Sequence, residues 1–264
     1  MSVDLPWDHS RIFSPRAPIG PILVIGIGGG SDGLMAQLFA KHTLPPSNHA
    51  VVLANTKRRA EDDWEFLSSH IAKLPAKQLQ TTCSLHGSTA LDRIAPTSHE
   101  KWVVLLQNGA VISTVAEQIK THAFSHIYAL DTGGDVLSVF GRKKVGKGRD
   151  RQMLEALRLA GVPLTLLVAG PGSDGDFTTA QLRGRMQHEE ALERFLGACS
   201  LAPWGEDLQN FASDIPEKRT PRIILGALER SQYDPGGSVD VPRGLKPAIP
   251  VSWLTTLLAY DMSS

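Results

Sequence analysis

The stretch "PILVIGIGGGSDG", Pro21 to Gly33, runs a string of aliphatics straight into a crowd of glycines: Gly26, Gly28, Gly29, Gly30 and Gly33. The aliphatic run "PILVIGI" (21–27) reads as a buried strand, because nothing in it alternates with polar residues. The segment that follows, "DGLMAQLFAKH" (32–42), sets Leu34, Leu38 and Phe39 on one side of a helix. A strand, a glycine turn and a helix form the opening unit of a parallel α/β sheet. The backbone N–H groups of such a turn, at a helix N-terminus, favour an anion. Yet Asp32 puts a negative charge into it.

Outward from this unit the same alternation continues. "AVVLAN" (50–55), "KWVVLLQN" (101–108), "HIYALD" (126–131) and "PLTLLVAG" (163–170) read as strands. Helices are predicted over 61–74, "STVAEQIKTHA" (113–123), "RDRQMLEALRLAG" (149–161, with Gly161 placed to end it) and "TTAQLRGRMQHEEALERFLGA" (178–198). Continuous apolar strands separated by helical patterns predict a three-layer α/β fold, a parallel sheet with helices on both faces. Residues 1–20 read as a Pro-containing N-terminal arm. Beyond about Ser200 the chain is richer in Pro and Gly, with "TPRIILGALERS" and "VSWLTTLLAYD" as further elements of undetermined type. The whole chain, 1–264, is expected to form a single α/β domain, with 200–264 as an extension packing on the sheet. "YDPGGSVDVPRGLKPAIP" (233–250) reads as a long loop able to cover the sheet edge.

Composition narrows the function classes. Lys plus Arg and Asp plus Glu both number 27, so net charge is zero, which argues against nucleic acid as a partner. Cys83 and Cys199 stand in unrelated contexts and fit neither a metal spacing nor a disulfide framework. No apolar run approaches the ~20 residues of a membrane span, and the N-terminus lacks the pattern of a signal peptide. A cytoplasmic protein with no membrane partner is the expectation.

Three Gly-Asp clusters carry the chemistry, each just after a predicted strand. They are Gly28-Gly29-Gly30-Ser31-Asp32-Gly33, Asp131-Thr132-Gly133-Gly134-Asp135, and Gly172-Ser173-Asp174-Gly175-Asp176. The strand at 101–108 ends in Gln107-Asn108-Gly109. In an open parallel sheet the C-terminal strand ends line one edge, where ligands bind. Asp and Ser at such turns also serve as helix N-caps, with Gly forming the turn, and one cluster alone would mean no more than that. Recurrence after three strands favours a shared site. After the second cluster, "GRKKVGKGRDR" packs Arg142, Lys143, Lys144, Lys147, Arg149 and Arg151 together, either a solvated loop or a clamp closing over phosphate or carboxylate.

Carboxylates beside a phosphate-type loop make sense if a divalent cation, Mg²⁺ or Mn²⁺, sits between them and the ligand. They also make sense if one Asp binds a sugar hydroxyl or acts as general base. Gly28, Gly30 and Gly33 fit G-x-G-x-x-G as well. The end of the second strand holds Asn55 followed by Lys57, Arg58 and Arg59, so an NADP-type site is a rival reading. The histidines form no ligand pair; His86, in "SLHGST", has the least ordinary context. Neither a nucleophile elbow nor a P-loop is present.

Taken in order, "GIGGGSDG", "ALDTGGDVLS", "GRDRQMLEAL" and "GPGSDGDFT" resemble the blocks of domain of unknown function 1152, a bacterial and archaeal family, over roughly residues 21–200. The resemblance implies a Rossmann-like fold and supplies no activity. It marks Gly28, Gly29, Gly30, Asp32, Asp131, Gly133, Gly134, Asp135, Asp150, Asp174, Gly175 and Asp176 as motif positions. Two departures stand out: "KGRD" replaces a Ser-Pro step before Asp150, and Asp176 replaces a commoner Glu.

The expectation is therefore an enzyme acting on a small anionic metabolite, phosphorylated or nucleotide-like, with divalent-metal help. Transferase, hydrolase and lyase or cyclase chemistry all stay open. Asp32, Asp135 and Asp174 are the expected metal ligands. They and Asp131 and Asp176 are the catalytic candidates. Gly28, Gly29, Gly30, Ser31, Asn108, Thr132, Gly133, Gly134, Lys143, Lys147, Arg149, Asp150, Gly172, Ser173 and Gly175 are the ligand-binding candidates. The alternatives are a non-catalytic nucleotide-binding or sensor module and an NADP-dependent oxidoreductase. Self-association into a homo-oligomer stays open.

Overall fold

A computed structural model describes residues 5–15, 20–28, 30–44, 50–56, 64–74, 100–105, 112–141 and 149–263. The chain divides into two compact units. The amino-terminal unit comprises Pro15–Leu130, Val145–Thr165 and Met262–Ser264. The carboxyl-terminal unit comprises Met1–Ser14, Asp131–Lys144 and Leu166–Asp261.

The amino-terminal unit begins with β1 (Ile22–Gly26) and α1 (Gly30–Thr43), as the opening stretch predicts. β2 (Ala50–Thr56), β3 (Glu65–Phe66), β4 (Ile71–Lys73), β5 (Glu100–Leu105), α2 (Ile112–Thr121) and β6 (His126–Thr132) follow. α3 (Arg149–Leu159) then leads to β7 (Leu164–Ala169). The strands of this unit run in the order β3-β4-β5-β2-β1-β6. β1 pairs in parallel with both β2 and β6, Gly26 facing Ala54 on one side and Leu130 on the other, and β2 pairs in parallel with β5. The α/β class and its Rossmann-like parallel core are as the apolar runs predict.

α1 is buried nearly all round: Asp32 through Ala40 are all inaccessible or nearly so. The sequence allows this because "GLMAQLFA" holds a single polar side chain, Gln37, and no charge. Phe39 packs on Tyr128 of β6, ring centroids 5.0 Å apart. Each buried aliphatic side chain here contributes about 1.5–3 kcal/mol relative to exposure.

The predicted helix over 61–74 is corrected by the structure. Residues 64–74 hold the short antiparallel pair β3–β4, with β4 antiparallel to β5. Ser68 favours the reversal, because its hydroxyl accepts the amides of His70 (3.3 Å) and Ile71 (3.2 Å). A serine that bonds its own downstream backbone offers the chain a turn in place of a helix.

In the carboxyl-terminal unit the strand order is β6-β7-β11 (Thr256–Asp261)-β8 (Phe195–Ser200), with the ends of β6 and β7 as the first two. The long helix predicted over 178–198 is also corrected. It is α4 (Thr179–Met186), α5 (Glu189–Arg194) and then β8 (Phe195–Ser200). The break has a local cause: His188 takes an extended backbone and its ring caps α5 by accepting the Glu190 amide. The apolar "FLGACS" then pairs antiparallel with β11 (Thr256–Asp261). α6 (Gly205–Asn210) and α7 (Thr220–Ser231) lie between, so "TPRIILGALERS" is a helix and most of "VSWLTTLLAYD" is the short α8 (Val251–Leu254) followed by β11. The 233–250 loop contains a hairpin, β9 (Ser238–Asp240) against β10 (Ala248–Pro250). Part of the N-terminal arm bridges β8 in parallel at Ile12 and Ala198. Trp7 of the same arm packs against buried Trp253, centroids 6.2 Å apart.

Candidate functional site

Each unit holds its own Gly-Asp arrangement. In the amino-terminal unit Gly28 follows β1, and Gly30, Ser31 and Asp32 open α1. Asp32 is 5% exposed, and Ser31 is half-buried. Asp150, the second residue of α3, is half-buried. The Asp32 and Asp150 carboxylates converge on Gly28: a Cβ there would come under 3.0 Å from an oxygen of each. The space beside Gly28, at the end of a parallel strand, is taken by the ends of two acidic side chains that come from two helix starts. Sequence reading placed Asp150 among the ligand-binding residues; its meeting with Asp32 depends on α3 returning to this strand end, which no local pattern encodes.

In the carboxyl-terminal unit the second and third clusters interlock. The Gly133 amide donates to the Ala169 carbonyl (3.0 Å), and the Gly172 amide to the Gly133 carbonyl (2.5 Å). Asp131, 2% exposed, accepts the Gly134 amide on Oδ2 at 2.9 Å, closing its own turn. Asp174 links the loops: Oδ2 accepts the Asp135 amide at 3.1 Å and Oδ1 the Asp176 amide at 3.0 Å. Gly133 has φ +116°, and a Cβ on it would strike the Asp174 carboxyl. The residue must therefore be glycine on two counts, its left-handed backbone and the acid pressed against it.

The burial of Asp174 (8% exposed) has an electrostatic consequence. Desolvation pushes its carboxyl up from 3.8 to about 6, and the nearby Asp176 charge adds to the rise. The two amides and the positive charge of Arg243 act the other way and do not cancel it. Asp135 is half-buried and opens a 3-10 turn, Asp135–Val139, its carbonyl accepting the Ser138 hydroxyl at 2.6 Å. Asp176 is exposed. Thr132 ends β6 and is buried. Ser173 is fully buried and its hydroxyl has no hydrogen-bond partner among the described residues.

The hairpin β9–β10 packs on this third loop. Ile249 occupies the space beside Gly172, and the Arg243 carbonyl the space beside Gly175. The Leu245 amide donates to the Gly175 carbonyl at 2.8 Å. Both glycines are thus accounted for by packing of the chain on itself. Sequence reading missed Arg243 as a neighbour of Asp174; the Pro- and Gly-rich run around it signalled a turn but not where the turn docks. Arg149 is the first residue of α3. Gly29, Asn108, Lys143 and Lys147 lie outside the described residues, as do His86 and the Lys57-Arg58-Arg59 triplet.

No helix among the described residues is long and apolar enough to cross a membrane. No curated protein and no solved structure matches the chain. A family model described as "Protein of unknown function (DUF1152)" matches residues 68–218, a span that takes in the second and third clusters and begins beyond the first. That span is more than half of the chain, and the chain belongs to this family.

Proposed function

We propose that the chain is an enzyme that binds a small anionic ligand, phosphorylated or nucleotide-like, with a divalent cation, Mg²⁺ or Mn²⁺. The observation that carries the reading is the convergence of the Asp32 and Asp150 carboxylates on Gly28, at the C-terminal end of β1 and the start of α1. Two carboxylates close together repel each other, and a cation between them relieves the repulsion. Mg²⁺ is held by one or two carboxylates together with substrate oxygens, and this donor set suits it. Asp32 and Asp150 would hold the cation, and the amides at the start of α1 would receive the anion. The cation would neutralise charge on the bound oxygens and orient them for attack. The same acids weigh against a bare pyrophosphate, and so against the dinucleotide reading.

The test is a thermal-shift series with Mg²⁺ and Mn²⁺ on wild type, Asp32→Asn and Asp150→Asn. Wild type should gain stability, about 2.7 kcal/mol at a hundredfold excess over the dissociation constant. Both variants should lose most of that gain while staying folded. Equal metal responses in all three proteins would overturn the reading. Turnover of phosphate esters or nucleotides in the metal-loaded protein separates an enzyme from a binding module.

A further inference from the structure

The carboxyl-terminal unit presents a pair of cations on a tight turn that no part of the metal-assisted reading uses. Arg243 and Lys246 are the ends of this turn, the Lys246 amide donating to the Arg243 carbonyl at 2.9 Å. The turn is pinned on the third Gly-Asp loop by the bond from Leu245 to Gly175 and by the Arg243 carbonyl against Gly175. Three features of it point to a ligand.

Arg243 is half-buried, yet no hydrogen bond or ion pair closes on its guanidinium among the described residues. Arg230, by contrast, is paired with Asp234 at 2.7 Å, and Arg194 with Glu190 at 3.4 Å. The charge of Arg243 acts on Asp174, but both Asp174 oxygens are already engaged by backbone amides. A guanidinium carries five donors in a rigid fork, suited to two oxygens of one anion. Finally, Lys246 has φ +51°, a left-handed backbone that a lysine seldom adopts. Such strained backbone is found at ligand clamps, where the side chain is needed in that place. A glycine would relieve it, and the position holds a second cation instead.

We propose that the Arg243–Lys246 turn is an oxyanion clasp, which receives a phosphoryl or carboxylate group of a small ligand at the third Gly-Asp loop. Arg243 supplies a two-pronged contact and Lys246 a second positive charge. The clasp is a site of the carboxyl-terminal unit itself, goes beyond the metal-assisted reading and does not depend on it.

The experiment is calorimetric titration with inorganic phosphate and, separately, succinate, at constant ionic strength, on wild type, Arg243→Ala, Arg243→Lys and Lys246→Gly. Wild type should bind at least one of them, phosphate if the group is phosphoryl and succinate if it is carboxylate. Arg243→Ala should weaken that binding at least tenfold, and Arg243→Lys should restore part of it. Lys246→Gly should raise the melting temperature and still weaken binding severalfold, a combination that a merely structural turn residue would not give. The proposal falls if wild type binds neither anion, or if Arg243→Ala binds with wild-type affinity. Should Arg243→Ala fail to fold, unchanged affinity in a folded Lys246→Gly overturns it. A wild type that responds to Mg²⁺ but binds no oxyanion through Arg243 sinks the clasp alone. A wild type silent to metal that binds phosphate through Arg243 sinks the metal reading alone.

Discussion

The turn after β1 and the pair of loops after β6 and β7 are written in the same residues and are built for different reasons. In the loops, the acids serve the backbone. Asp131 closes its own turn on the Gly134 amide, and Asp174 holds two amides from two segments. The glycines there are surrounded by the protein itself, by the Asp174 carboxyl, by Ile249 and by the Arg243 carbonyl. After β1, two carboxylates meet at one glycine, each arriving from the start of a helix. A Gly-Asp motif is therefore not one device. Where the acid's oxygens are engaged by amides it fixes loops; where two acids converge it concentrates charge.

The sharpest way to break this comparison is to put a methyl group on each side of it. Gly133→Ala forces an L-residue to φ +116° and drives its Cβ into the Asp174 carboxyl. It should cost at least about 3 kcal/mol, adding backbone strain to displacement of a buried acid. Urea unfolding would measure it, and a loss below about 1 kcal/mol would show that the two loops are not interlocked in the way described.

Acidity sharpens the same contrast. The carboxyl of Asp174 titrates near 6 in the folded protein and near 3.8 when free. The folded state binds that proton more tightly. Its contribution to stability is therefore complete below about pH 4 and lost as pH rises through about 6. The loss amounts to at most about 3 kcal/mol over that window. Asp174→Asn should remove this slope and leave the rest of the pH profile in place. Stability that instead climbs between pH 4 and 6 on account of Asp174 would mean that the two amides outweigh burial.

The smallest effect is expected on the other side. Gly28→Ala meets only the far ends of two acidic side chains, which can turn away. Its unfolding free energy should change by about 1 kcal/mol or less, while the thermal response to Mg²⁺ disappears. A variant that keeps the full metal response would detach the Gly28 turn from any cation.

The sequence is most legible where composition leaves few options. Continuous aliphatic runs announce β1, β2, β5, β6 and β7, because strands of a covered parallel sheet read as such runs. It misleads where a local polar group decides. Ser68 turns the chain at the predicted 61–74 helix, and His188 ends one helix and caps the next inside the predicted 178–198 helix. β8 and β11 escape notice because their partner strands are far apart in sequence, and pairing between Cys199 and Leu257 has no local signature. The candidate residues themselves were readable as Gly-Asp clusters, but their roles were not. Whether an aspartate's oxygens end on backbone amides, as in Asp174, or face another acid, as in Asp32, is decided by chain segments more than a hundred residues away in the second case and about forty in the first.

One feature of the N-terminal arm bears on handling the protein. β8 is the last strand in the order of its unit, and the arm lies along it: the Phe13 amide bonds the Ala198 carbonyl, the Ala198 amide the Arg11 carbonyl, and the Arg11 guanidinium the Phe195 carbonyl. An uncovered strand edge is a template for another chain, and a short blocking segment is one way to prevent that. The arm is therefore a selvedge, the finished border that keeps a woven sheet from being extended. A shortened version of this protein that begins after Ser14 would carry the same catalytic candidates and a raw edge, so purification tags belong at a distance from residues 8–13 and trimming of the arm invites edge-to-edge association.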